Sequence, residues 1–308
     1  MASASGRSVG DWAMLLALAL IWGTAFLLTR IALAAVPPAT LVAVRLGIAA
    51  PLLLGALALA ARRLPRSRRV WLHFVLLGIL GNALPFFLVS WGQQRIASGL
   101  AGILMAVMPL ATLVLAHLFL PDERMTPVRA AGFVLGFLGV ALLLGPDALR
   151  ELGGGHTEIA SQLAVLAGAV CWAASAIVAR RLPPMDAAIA AAGTLVTGLA
   201  VMLPVAIVLE APWRLEVPPG AAVASLWLAV VATALADLLY FRLIASAGPT
   251  FFALINYLIP VIAAVAGVVV LDEVVPASAV AALVLVLLGL ALGQRQATAD
   301  ESPEVRAA

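Results

Sequence analysis

Few side chains in this sequence can ionise where ionising is costly. Asp237 stands in Ala236-Asp237-Leu238-Leu239-Tyr240, inside a long apolar run. A carboxylate there could carry a proton or meet an amine; the plainer reading is a satisfied polar residue near the end of its helix. Arg45 lies in another apolar run, awkwardly deep for its side chain to snorkel to the interface. It either faces polar groups inside a bundle or holds helices together through backbone carbonyls. Measured along ideal helices, Arg45 and Asp237 differ in depth by roughly 10 Å, so a direct pair is not expected. His73 and His117 sit near the ends of their runs and read as interfacial residues. A neutral His73 near Asp237 is the one candidate for a proton relay.

Two acid pairs, Asp122-Glu123 and Asp272-Glu273, look catalytic at first sight. Each precedes a proline by three or four residues, at the entrance to a further apolar run. There the helix dipole favours acids and proline suits the first turn, so the structural reading is preferred. No H-E-x-x-H, G-x-S-x-G or phosphate-loop motif is present. Too few buried ionisable groups cluster to build an acid/base site. No catalytic residue, metal site or cofactor is therefore expected.

Prolines and amides mark a second kind of chemistry. Pro109 and Pro260 fall in the middle of apolar runs, and Pro85 follows Asn82 as Pro260 follows Asn256. Proline removes a backbone hydrogen bond and bends a helix. In a membrane, freed carbonyls are tolerated only where protein or a watery cavity satisfies them. Kinking for packing is an equally good reading, and compatible with the first. Aromatic residues supply apolar walls: Trp22, Phe86, Trp91, Trp172, Tyr240 and Tyr257 are candidates. Thr24, Met105 and Ser175, with Asn82 and Asn256, complete the expected lining. Most tryptophans of a membrane protein anchor at the interface. Trp22 and Trp172 are deeper than that, and are preferred over Trp12, Trp71 and Trp227.

What must position these residues is a membrane-embedded helical bundle. Of 308 residues, 64% are hydrophobic and 11% charged, against about 25% charged in a soluble domain. The spacing predicts ten helices, over 11–33, 37–60, 70–91, 97–120, 127–144, 159–181, 186–209, 220–244, 249–270 and 276–293. Between them lie proline, glycine and arginine clusters. The longest break, Gly145 to Glu158, contains Gly153-Gly154-Gly155. The tail after Arg295 is polar and expected to be disordered. Arg7, the first apolar run and Ala32-Leu33-Ala34 resemble a signal peptide, but the run is longer than the usual h-region and is kept as the first helix.

Net charge is only +3, and every cation is arginine, with no lysine. The arginines lie in short connections, so they report orientation rather than nucleic-acid binding. With the N-terminus inside, thirteen fall in inner segments against Arg95, Arg150 and Arg214 in outer ones. That bias places both termini in the cytoplasm. The single cysteine, Cys171, allows no intrachain disulfide.

Residues 11–145 and 159–293 then read as two copies of one pattern, about 150 residues apart. Trp22 matches Trp172, Pro109 matches Pro260, and Asp122-Glu123 matches Asp272-Glu273. Five helices per copy is odd, so the copies should be inverted, an architecture typical of secondary transporters. Flanking them are an N-terminal segment (1–10), an outer linker (146–158) and a tail (294–308), both ends cytoplasmic.

The chain resembles the EamA-type members of the drug/metabolite transporter superfamily. The resemblance covers nearly the whole chain. It is carried by Ile21-Trp22-Gly23-Thr24-Ala25-Phe26, Ser90-Trp91-Gly92 and Met108-Pro109 in the first half. Thr233-Ala234-Leu235-Ala236, Tyr240-Phe241-Arg242 and Ile259-Pro260 carry it in the second. Each motif is weak alone; their order, spacing and duplication are fairly specific. The resemblance implies an all-α membrane protein of ten helices in two inverted units, a central cavity, and export of small metabolites without ATP. Within the superfamily it looks nearest the YddG-like exporters of aromatic and other apolar amino acids. The family commonly has an arginine where Arg45 stands, and often an aromatic where Asp237 stands, so no role is carried over to Asp237.

The sequence thus points to a secondary transporter of a bacterial-type inner (plasma) membrane, working by alternating access. Arg45, Asp237 and His73 are its gating or coupling residues. The expected partners are a small-molecule substrate, an amino acid foremost, and the lipid bilayer; the chain is expected as a monomer or homodimer. Alternatives are transport of a different metabolite or drug with proton exchange, a non-transporting membrane sensor, and an intramembrane enzyme.

Overall fold

In hydrocarbon a backbone must satisfy its own N–H and C=O groups, so apolar runs of this length fold as helices. The computed structural model describes residues 8–120, 125–144 and 157–300, and these residues form an all-helical bundle without strands. Asp122-Glu123 and most of the glycine-rich linker lie outside the described residues. Helix α1 (Val9–Ala32) opens on a capping box in which Ser8 and Asp11 satisfy each other's end of the turn. Helix α2 (Pro38–Leu59) follows Pro37-Pro38 and has no side-chain cap of its own. Glu210, the last residue of α9 (Ala187–Glu210), supplies it: its carboxylate accepts from the Ala39 and Thr40 amides at 3.0 and 2.6 Å.

The third run is not one regular helix. It comprises α3 (Arg68–Gly78), a π-helical segment over Ile79–Ala83 and α4 (Leu84–Gln93). A second such run comprises α10 (Pro219–Ala229), a π-helical segment over Val230–Leu235 and α11 (Ala236–Ala247). The two π segments start 151 residues apart, at Ile79 and Val230. Such segments loosen the helical register and recur at functional sites.

The expected continuous helices at 97–120 and 249–270 are each broken. The first is α5 (Ser98–Met105) followed by α6 (Met108–Phe119). Pro109 therefore opens a helix instead of kinking the middle of one. It has no N–H for the Met105 carbonyl, and Met105 is where α5 stops. The second is α12 (Pro249–Phe252) followed by α13 (Ile255–Leu271), with Pro260 inside α13. Helices α7 (Pro127–Leu144), α8 (Thr157–Ala179) and α14 (Ala277–Asp300) complete the set. The last helix continues to Asp300, into the tail expected to be disordered.

Among the described residues, seven helical stretches are long and apolar enough to cross a membrane, and three more, at 130–142, 255–271 and 277–292, are apolar but shorter. The shortfall has local causes: Pro127 and Arg129 open α7, the 253–254 turn shortens α13, and α14 turns polar beyond Leu292.

Packing follows small residues. α2 lies along α9, α7 along α14, α1 against α13, and α8 against α4, α5 and α6. A methyl group on Gly289 would collide with the Gly132 carbonyl oxygen, so α7 and α14 touch backbone to backbone. One end of the bundle gathers Ala34, Arg95, Ala97 and Glu273. Another set of contacts joins Arg62 to Asp186 and Arg181 to the Phe119 carbonyl.

Candidate functional site

Two tryptophans tie the first helix of each sequence copy to the π segment of the other. Trp22 of α1 donates its indole N–H to the Ala232 carbonyl at 3.3 Å. Trp172 of α8 donates to the Gly81 carbonyl at 2.8 Å. Gly81 lies four residues before Pro85, which has no N–H to offer it. The indole brings this carbonyl a donor from the other half of the sequence. Gly81 and Ala232 are 151 residues apart, as are Phe86 and Asp237.

Arg45 reaches the same centre from α2. It is only 8% exposed. Its Nε donates to Thr233 Oγ1 at 2.6 Å and an Nη to the Ala232 carbonyl at 3.2 Å. Thr233 in turn donates to the Leu228 carbonyl at 2.9 Å. The guanidinium lies over the Phe86 ring, 3.8 Å from its centroid, and Phe86 meets Trp172 edge-on at 5.5 Å. Arg45 is thereby fixed on three sides by groups from both copies.

Asp237 lies one turn beyond Thr233. It is half-buried and, among the described residues, makes no hydrogen bond or contact ion pair. It nevertheless lies within electrostatic range of Arg45 and of Tyr240. Among the described residues no direct pair joins Arg45 to Asp237. Beyond Asp237, Tyr240, Trp22 and Phe252 pack around one another, with centroids 4.8 Å apart for Tyr240–Phe252, 6.1 Å for Trp22–Phe252 and 6.2 Å for Trp22–Tyr240.

Other expected residues are placed as follows. Asn82 is half-buried beside Gly198, and its amide makes no hydrogen bond among the described residues. Ser175 donates to the Trp172 carbonyl at 2.8 Å, and a methyl group on Gly81 would stand 3.5 Å from it. Met105 is buried in a cluster that includes Trp172. Thr24 is satisfied by its own helix, donating to Leu20 at 2.6 Å. Asn256 donates to the Ala253 carbonyl at 3.1 Å, closing the turn before α13; Tyr257, half-buried, follows it. Trp91 stands apart from this centre, under the Arg95 guanidinium at 5.6 Å. His73 bonds to the Arg69 carbonyl at 2.8 Å in its own helix, and no contact joins it to Asp237.

Glu273 differs from its expected role. It caps α5 across the bundle and not the helix that follows it: its carboxylate accepts from Ser98 N, Ser98 Oγ and Gly99 N at 2.7, 2.9 and 3.0 Å. The same glutamate borders an open cavity of about 600 Å³ lined by Arg30, Arg95, Ile31, Ile96 and Leu271. Gln93, fully buried, donates to the Phe26 carbonyl at 3.0 Å, and its own carbonyl accepts from Arg30. Thr233, Phe252, Gln93 and Glu210 were not among the expected site residues. A polar residue at the position equivalent to Asn82 was the available signal for Thr233. Among the described residues no group of three or more His, Cys, Asp or Glu side chains could hold a metal ion.

A polytopic, all-α membrane protein with a polar and aromatic centre between its helices is the class this fold defines. Its sequence matches the EamA-like transporter family twice, over residues 10–145 and 160–293. The chain belongs to that family. The uncharacterized transporter YvbV of Bacillus subtilis is 27% identical over 95% of this chain and 94% of its own. YedA of Escherichia coli, an uncharacterized inner membrane transporter, is 28% identical over 82% of this chain and 80% of its own. A protein of Streptantibioticus cattleyicolor named as a probable terminal-alkyne amino-acid exporter is 32% identical over 52% of this chain and 50% of its own. A protein known from its crystal structure shares the fold with a TM-score of 0.67, at 24% identity, over 96% of this chain and the whole of that one.

Proposed function

We propose that this protein is a secondary exporter of small metabolites, namely amino acids with aromatic or other apolar side chains. It works by alternating access in an inner membrane, with both termini cytoplasmic. The observation that carries this reading is the pair of indole–carbonyl bonds, Trp22 to Ala232 and Trp172 to Gly81. Each joins one half's first helix to the other half's π segment, at positions related by the repeat. Two inverted halves that grip each other through equivalent contacts can rock between two equivalent arrangements. The double family match and the reciprocal packing of α1 on α13 and of α8 on α5 and α6 support the same division.

Substrate would lie between these contacts. Phe86, Trp172, Trp22 and Tyr240 offer rings for an apolar side chain, and the amide of Asn82 offers polar contacts without a competing partner among the described residues. Arg45 is committed to Thr233, Ala232 and Phe86, which suits a part that holds the two halves in register. The relative named as an amino-acid exporter supports the substrate class.

Counterflow tests the reading directly. Purified protein in liposomes loaded with unlabelled L-phenylalanine or L-leucine should accelerate entry of the labelled amino acid. No acceleration for any member of an amino-acid panel would refute the substrate class. No acceleration for any small metabolite would refute transport.

A further inference from the structure

We propose that Asp237, with the rings of Trp22, Tyr240 and Phe252, forms an ammonium-binding subsite, so that the substrate must carry a positively charged amine. The proposal rests on the transporter reading and names the chemistry of its site. It starts from a carboxylate left without a partner. Asp237 is half-buried inside an apolar span and, among the described residues, makes neither a hydrogen bond nor a contact ion pair. A charge in that setting requires compensation. The nearby cation does not provide it in contact. Arg45 has its Nε on Thr233, an Nη on the Ala232 carbonyl and its plane on Phe86. None of its N–H groups bonds to Asp237 among the described residues.

The surroundings select the missing partner. Tyr240 lies one turn from Asp237 on the same helix and feels its charge. Its ring packs with Trp22 and Phe252, all three half-buried, so the carboxylate borders an aromatic wall. A carboxylate beside ring faces attracts an ammonium group twice, by charge and by the ring quadrupole. It repels an anion. The other half shows a cation at the equivalent place: Phe86, 151 residues before Asp237, has the Arg45 guanidinium 3.8 Å from its centroid. In one half the protein supplies the cation; in the other the ligand does.

The test uses the full chain in lipid nanodiscs and three probes: 2-phenylethylamine, its uncharged counterpart 2-phenylethanol, and L-phenylalanine. Binding is followed by calorimetry and by tryptophan fluorescence. Native protein should bind the amine more tightly than the alcohol. Asp237→Asn should weaken amine binding about tenfold or more, the expected scale for a lost bond to a charged group. It should leave the alcohol unchanged, which also reports that the site is still folded. Asp237→Glu should restore amine binding. Native protein that binds the amine no better than the alcohol, or Asp237→Asn protein that keeps its amine affinity, overturns the subsite. Asp237-dependent amine binding without amino-acid counterflow removes the amino-acid reading alone. Amino-acid counterflow untouched by Asp237→Asn removes the subsite alone.

Discussion

At the scale of single residues, Arg45 and its neighbours decide how the centre is held. The guanidinium uses its planar shape three times, on a hydroxyl, a carbonyl and a ring. Lysine carries the same charge without the fork or the flat face. Arg45→Lys should therefore lose at least one bond to a charged group, about 1.5–3 kcal/mol, and slow counterflow by about tenfold or more. An unchanged rate would mean that only charge matters at this position. The sequence made Arg45 and Asp237 visible, because ionisable groups are rare inside apolar runs. Their proximity was hidden, since helix rise measures depth along one element and says nothing of tilt or of where side chains reach. Thr233 was likewise inconspicuous: a threonine satisfies itself on its own helix, and only the approach of Arg45 marks it out.

At the scale of helices, the sequence singled out Trp22 and Trp172, but the π segments that receive their indoles are a matter of hydrogen-bond register, which composition does not report. The two contacts also differ in strength. Pro85 cannot give the Gly81 carbonyl an α-helical donor, and Trp172 reaches it at 2.8 Å. The Ala232 carbonyl accepts from both Trp22 and Arg45. Trp172→Phe should therefore remove the shorter bond and cost about 0.5–1.5 kcal/mol, while Trp22→Phe costs less. Thermal unfolding of the substrate-free variants checks this order, and a larger loss for Trp22→Phe would contradict it. The dipole argument expected Glu273 at the N-terminus of the helix next in sequence, but tertiary packing sets its carboxylate on the N-terminus of α5. Glu273→Ala should lower stability by about 0.5–2 kcal/mol, the range for a lost N-cap. Glu216→Ala, at an exposed position, should leave the melting temperature unchanged.

Across the whole molecule, the distribution of arginine and the placement of Asn82 make one connected prediction. Arg62, Arg63, Arg66, Arg68 and Arg69 crowd the α2–α3 connection, whereas Arg214 stands alone between α9 and α10. On the proposed topology, the positive-inside bias predicts the first connection in the cytoplasm and the second outside. Asn82 lies between them in the π segment, half-buried, with an amide that no described residue occupies. If the two halves rock about this centre, Asn82 should face each side in turn. The native cysteine, Cys171, is first replaced by serine. In that background Ser67→Cys should react with a membrane-impermeant thiol reagent only in inside-out vesicles. Trp213→Cys, at a position 67% exposed, should react only from the outside. Asn82→Cys should react from both faces, more slowly when a bound amino acid fills the centre. Reversed labelling of Ser67→Cys and Trp213→Cys would invert the topology while leaving the exchange mechanism intact. Labelling of Asn82→Cys from one face alone would remove alternating access, because a site fixed toward one compartment cannot carry a substrate between two.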